Sequence, residues 1–220
     1  FMRAVEKGDA WHTKAVVSGE EMEEYDAREL LGRIAQRAWE CGDPGMQYDD
    51  TINTWHTSKA SGKINSSNPC SEYMFLDDTA CNLASLNLMK FVDGKDKFDV
   101  ESFRHAVDIM ITAQEIIVDN ASYPREEIAR NSHLYRPLGL GYANLGALLM
   151  YNGLPYDSDE GRACAAAITA IMHGQAYTTS ARIASEIGPF AHYGENAASM
   201  MDVLSSTALL KIWTLPVVGS

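Results

Sequence analysis

Pro69, inside Ser67-Asn68-Pro69-Cys70-Ser71-Glu72, constrains this chain more than any other residue. Its ring fixes φ and disfavours the helical region for Asn68. Helical periodicity flanks it on both sides, so the chain must be interrupted here by an extended or looped segment. If the extension continues, side chains two apart share a face, roughly 6.5–7 Å from one another. Asn68, Cys70 and Glu72 then present an amide, a thiol and a carboxylate in a row. Each alone has an ordinary reading: a turn opener, a small buried hydrophobe, a solvated acid. Together, with Cys81 following, they suit a polyhydroxylated substrate better than a core face.

Composition narrows the class. At 220 residues the chain is one domain or a generous piece of one, and 46% hydrophobic content supports a sizeable core. No run of eighteen apolar residues suggests a membrane span. A net charge of −12 argues against a surface that tracks nucleic-acid phosphates. Cysteines at 41, 70, 81 and 164 show no CxxC and no secreted-domain spacing, so they read as cytosolic thiols. Phe1-Met2-Arg3 is followed by acidic residues rather than an apolar leader, and cytoplasm is the expected location.

The first twenty or so residues are weakly patterned, and firm order is expected from Asp26, which with Glu29 resembles a capping box. Leu30, Leu31, Ile34, Ala35, Ala38 and Trp39 form one helical face, with Gly42 as its stop and Asp43-Pro44-Gly45 as a turn. Cys41, in the last turn, is expected to pack. Residues 46–52 read as extended, leading to a polar loop, 53–67, that holds Trp55 and a solvated His56. No second His or Cys stands at metal spacing, so no metal is assigned.

Cys81 to Leu88 reads as a strand, and Phe91 to Phe98 as a turn. Asp99 opens a long helix with Phe103, Val107, Met110, Ile117, Val118 and Ala121 on one face. A segment over Arg125 to Asn131 follows Pro124. Pro137 is expected to start a helix to about Tyr151, whose Gly139, Gly141 and Gly146 permit close approach rather than dinucleotide binding. Ser158 caps an Ala-rich helix to Ile187, stopped by Gly188-Pro189, with Ala163, Cys164, Ala166, Ala167 and Ala170 packing. A last amphipathic stretch covers Ala197 to Leu210.

Asn68-Pro69-Cys70-Ser71-Glu72, followed by Thr79-Ala80-Cys81-Asn82-Leu83-Ala84-Ser85-Leu86-Asn87-Leu88, resembles the finger loop and next strand of the ribonucleotide reductase large chain. Gly42-Asp43-Pro44-Gly45-Met46-Gln47 with Asp50-Thr51-Ile52-Asn53 upstream, and Arg136-Pro137-Leu138-Gly139-Leu140-Gly141-Tyr142 downstream, extend the likeness over roughly residues 10–200. The Asn-Pro-Cys form and the short spacing between the two cysteines are most like the class II, adenosylcobalamin-dependent enzymes.

The resemblance implies an α/β fold: part of a ten-stranded α/β barrel around a central finger loop. Periodicity itself gives a predominantly helical chain with a few short strands. Residues 1–220 then form a single partial barrel domain, with about 205–220 an atypical tail. An incomplete barrel leaves strand edges and apolar faces uncovered, so homo-oligomers are expected.

The implied function is ribonucleotide reduction for deoxyribonucleotide synthesis and DNA replication, with the substrate's di- or triphosphate level open. Cys70 maps to the thiyl that abstracts the 3′-hydrogen, Glu72 to a partly desolvated base for the 3′-hydroxyl, and Asn68 to the amide that holds the ribose hydroxyls. Asn68, Pro69, Cys70, Ser71 and Glu72 would line the substrate. Cys81 maps to one member of the dithiol that supplies two electrons. Its partner lies on an earlier strand, and a thioredoxin-like dithiol restores the pair. The piece alone should be inactive. Two other readings stay open: a helical assembly module that keeps the motif, and another radical or nucleophilic-cysteine enzyme. Of the latter, a Cys-His hydrolase would need a His near Cys70, His56 being the closest in sequence.

Overall fold

The computed structural model describes residues 1–92 and 98–209. It divides into two compact units, Phe1–Tyr48 and Asp49–Ser220. The expectations for Leu210 and for Ile212–Ser220, and residues 93–97 of the expected turn, lie outside the described residues.

The first unit is ordered well before Asp26, against the sequence expectation. Helix α1 (Met2–Lys7) leads to an antiparallel pair, β1 (Ala10–Lys14) and β2 (Glu21–Asp26), and then to α2 (Ala27–Cys41). The Arg28 guanidinium donates to the carbonyls of Val5 and Glu6, both at 2.8 Å, and so caps α1 from α2. The hairpin escaped periodicity because Glu21–Asp26 is charged along most of its length and has little to bury. The start of α2 follows its local code: Asp26 Oδ1 accepts from the Glu29 amide at 2.8 Å. Gly42 ends the helix in the left-handed region at φ 82°. Cys41 is exposed, however, its Sγ donating to the Arg37 carbonyl, so the packing role expected of it is not seen.

In the second unit, α3 (Asp49–Thr54) replaces the extended piece expected over 46–52. Strand β3 (Asn82–Asn87) passes through a 3-10 turn (Leu88–Phe91) toward α4 (Val100–Asn120). Helix α5 (Glu126–Tyr135) and β4 (Leu138–Ala143) follow, then α6 (Leu145–Tyr151), α7 (Asp159–Ile187) and α8 (Tyr193–Leu209). Strands β3 and β4 pair in parallel, with Asn82 opposite Leu138 and Leu83 opposite Gly139. Parallel neighbours need a long crossover, which α4 and α5 supply.

Gly139 and Gly141 therefore lie on a strand, not on the helix expected from Pro137. That helix begins only at Leu145. Arg136 is in the left-handed region at φ 50°, ends α5 and leaves Pro137 at the entry to the strand, where a missing amide is tolerated.

One face of the β3–β4 pair meets the core of Leu86, Leu88, Phe103, Val107, Ile111, Leu148, Ile168 and Met172. Phe91, Phe98 and Phe103 meet edge to face or tilted around it. The buried stripe of α4 runs Phe103, Val107, Ile111, Gln114 and Val118, whereas Ile117, expected inside, is 48% exposed. On α7 the core is met by Ile168 and Met172, with Cys164 half-buried beside them and Ala167 exposed. The architecture is thus mixed and mainly helical, with two two-stranded sheets and no closed barrel among the described residues.

Candidate functional site

The stretch around Cys70 is a turn. The Ser71 amide donates to the Asn68 carbonyl at 3.0 Å, and Ser71 is left-handed at φ 64°. The Tyr73 amide donates to Asn68 Oδ1 at 2.9 Å, and Ser67 Oγ donates to the Asn68 carbonyl at 2.9 Å. The extended alternation expected from Pro69 is therefore not formed. Asn68 finds local donors for both its oxygens, which an isolated strand could not supply, and the chain closes on it. A non-glycine residue held at positive φ is sterically costly, and such positions concentrate at functional sites.

Three predicted residues, Asn68, Cys70 and Glu72, are brought into this one turn. Asn68 is half-buried; Pro69, Cys70, Ser71 and Glu72 are exposed. The sulfur of Cys70 is accessible. Glu72 is exposed, where the resemblance led to a partly desolvated carboxylate. The Tyr73 bond fixes the oxygen end of the Asn68 amide, so its NH2 end is the donor this residue can offer.

Tyr73 and Thr79 were not singled out by sequence reasoning, yet they join this turn to Cys81. The Tyr73 phenol donates to Thr79 Oγ1 at 2.7 Å, and Thr79 Oγ1 donates to the Leu76 carbonyl at 2.6 Å. Burial pushes the phenol up to about 12. The Ala80 amide then donates to the buried Ser132 Oγ at 3.2 Å, which ties the approach to Cys81 onto α5. Tyr73 next to Glu72 carried the only available signal, an aromatic ring beside a polar motif.

Cys81 stands immediately before β3. Burial, and second the charge of Glu72, pushes its thiol up to about 11. The acid of the turn and the sulfur of the strand thus lie within electrostatic reach of each other. A Cβ built on Gly139 would fall 2.6 Å from Cys81 Sγ, so the sulfur lies against β4 where a side chain would otherwise stand. Behind the sheet, buried Gln114 donates from Nε2 to the carbonyls of Asn82 at 2.6 Å and Gly139 at 2.9 Å. Its place on an otherwise apolar stripe was the missed signal.

His56, expected to be solvated, is 2% exposed. Its loop is locked to α8 over a separation of more than 130 residues, invisible to any local pattern. The Ala60 amide donates to Asn196 Oδ1 at 3.0 Å, and Ser199 Oγ donates to the Thr57 carbonyl at 2.7 Å. His56 meets Phe75 edge to face, and Phe75 also contacts Tyr73 and Tyr135. Burial lowers its pKa, and it is not among the residues of the turn that carries Cys70. Among the described residues no three His, Cys, Asp or Glu side chains are grouped to hold a metal. No described helix is long and apolar enough to cross a membrane.

Residues 1–210 match the family model described as "Ribonucleotide reductase, barrel domain". A vitamin B12-dependent ribonucleotide reductase of Rhodopirellula baltica is 57% identical over 206 residues, covering 93% of this chain and 20% of that protein. One from Streptomyces clavuligerus is 53% identical over 212 residues, covering 94% of this chain and 22% of its own length. A vitamin B12-dependent ribonucleoside-diphosphate reductase of Mycobacterium tuberculosis is 32% identical over 191 residues, 86% of this chain and 27% of that protein. The chain thus spans about a fifth to a quarter of the length of these curated relatives.

Proposed function

The chain belongs to the ribonucleotide reductase barrel-domain family, and from that premise we propose that it is the part of a class II reductase that carries the radical-bearing loop. The observation that carries the reading is the Asn68–Glu72 turn, which holds an exposed Cys70, an Asn68 amide oriented by Tyr73 and an exposed Glu72 within five residues. Residues 1–220 form one partial barrel domain, with β3 and β4 as two adjacent strands of the ten.

The substrate is a ribonucleotide. Cys70, as a thiyl, takes the 3′-hydrogen and later returns it. Glu72 accepts the 3′-hydroxyl proton, and Asn68 donates to a ribose hydroxyl; acid–base positioning of this kind is worth about 10²–10⁴-fold. Loss of the 2′-oxygen as water leaves a two-electron deficit. Cys81 and a second cysteine of the longer protein close it by forming a disulfide, so that C–OH and two S–H become C–H, S–S and water. A thioredoxin-like dithiol then reduces the pair. Cys164 is a poor partner because it packs against the core behind β3.

The cofactor is adenosylcobalamin, which supplies radical chemistry when bound. The chain fits it at one atom, the accessible Cys70 sulfur from which a hydrogen can be taken. A shallow groove of about 360 Å³ along Asp108, Ile109, Thr112, Ala113 and Ile116 includes no residue of the turn and is not assigned to it. Cytoplasmic location and self-association through the uncovered edges of β3 and β4 belong to the same reading. The test is turnover by the full-length protein with adenosylcobalamin, dithiol and ribonucleoside di- and triphosphates. Deoxynucleotide formation that disappears in Cys70→Ala supports it; turnover that survives Cys70→Ala refutes it. The isolated 220-residue chain is expected to give no product.

A further inference from the structure

We propose that Gly139 is a positioning residue for Cys81: the absent Cβ leaves the space in which the redox sulfur lies. The inference rests on the reading of Cys81 as a dithiol member. A Cβ at Gly139 would stand 2.6 Å from Cys81 Sγ and 2.8 Å from Leu83 Cδ2, both closer than real contacts allow. Backbone conformation does not explain this glycine, which is absent from the positive-φ positions. Gly141 is the control that the fold itself supplies. It lies two residues along the same strand, and its Cβ would meet Ser85 Oγ at 3.8 Å and the Ala84 carbonyl at 4.0 Å, ordinary contact.

The two crowded atoms are side-chain ends, so a methyl at 139 is accommodated by turning the sulfur and the leucine, not by parting the strands. The strands are also held from behind. Gln114 Nε2 bridges the carbonyls of Asn82 and Gly139, and Asn82 Nδ2 donates back to the Gln114 carbonyl at 2.9 Å. With the backbone clamped, the sulfur is what gives way. A change to another staggered rotamer rotates it by about 120°. That carries Sγ further than the S–S bond length of about 2.0 Å that it must reach with its partner. Misplacement on this scale costs about 10²-fold in a step that depends on alignment.

The experiment compares Gly139→Ala with Gly141→Ala in the full-length enzyme, loaded with adenosylcobalamin and ribonucleotide. Three quantities are read: a Cys70-dependent radical signal by electron paramagnetic resonance, the fraction of Cys81 in a disulfide after one turnover without external dithiol, and deoxynucleotide yield. For Gly139→Ala the radical signal should persist while disulfide and product fall together by about 10²-fold; Gly141→Ala should behave as the unsubstituted enzyme. Unchanged disulfide yield in Gly139→Ala overturns the proposal, and so does a parallel loss of all three readouts in a folded protein, the mark of a merely structural role. Should Gly139→Ala not fold, Leu83→Ala/Gly139→Ala removes the second crowded contact. If that also fails to fold, the strands and not the sulfur are yielding, and the inference is wrong. A radical signal missing from the unsubstituted enzyme sinks instead the functional reading beneath it.

Discussion

Cys70 and Cys81 are close in sequence and opposite in surroundings. Cys70 sits on a turn held by hydrogen bonds within a few residues, exposed and detached from the core. Cys81 is half-buried at the mouth of a strand, against β4, with Gln114 clamping the sheet behind it. The first environment favours access and the second favours placement. A thiol that must touch a sugar and take its hydrogen needs the former. A thiol that must meet one partner sulfur, and be left alone otherwise, needs the latter, and a pKa pushed up to about 11 keeps it protonated and a weak nucleophile at neutral pH.

The contrast can be broken most directly at Cys70. Cys70→Ala in the full-length enzyme should lower deoxynucleotide formation by at least about 10³-fold, while the melting temperature of the protein hardly moves, because the side chain is exposed. A large loss of stability would mean that the turn is part of the core after all. Glu72→Gln should lose about 10²–10⁴-fold in kcat, and it should also ease deprotonation of Cys81, since the Glu72 charge is one of the causes holding that proton. Alkylation of Cys81, followed by mass spectrometry, should rise about tenfold per pH unit as the thiolate fraction grows and level off only near 11. The sign for stability follows: the folded state keeps this proton between 9.0 and about 11 while the unfolded chain releases it, so stability falls as pH climbs through that window. On the placement side, Phe103→Ala removes a fully buried ring and should cost about 3–5 kcal/mol in urea unfolding. The smallest effect is at a cap: Ser158 Oγ accepts from the Gly161 amide at 2.9 Å, and Ser158→Ala should cost about 1 kcal/mol.

What could be read from the sequence was what is encoded locally. Asp26, Asp99 and Ser158 each cap the helix expected of them, because a cap needs only its own next three residues. Gly42 and Gly188 end helices for the same reason. Strand β3 was legible from its apolar run. Strand β4 was not, since Leu138-Gly139-Leu140-Gly141 has the spacing of close packing in either kind of element, and only pairing with β3 decides between them. The turn at Asn68–Ser71 was missed because Pro69 suggests extension, while the competing hydrogen bonds come from Ser71 and Tyr73. His56 was misjudged because Asn196 and Ser199, which fix its loop, lie far along the chain. Membership of the family was legible from motif order alone, and the sulfur's berth on Gly139 needed three dimensions.

Arg136 carries a consequence for how this half of the molecule opens. One guanidinium donates to Glu115 Oε1 at 2.5 Å and to the Glu115 carbonyl at 3.0 Å, and it reaches both oxygens of Asp119, while its own backbone ends α5 directly ahead of β4. Four acceptor oxygens of α4 and the helix-to-strand joint thus share a single planar ion that lysine's point charge could not replace. Fraying of α5 must release that fork and loosen the first rungs of β4 with it. Glu126 to Leu138 is therefore expected to exchange its amide hydrogens as one unit, with the strand that borders the Cys81 sulfur anchored through the ion at its foot.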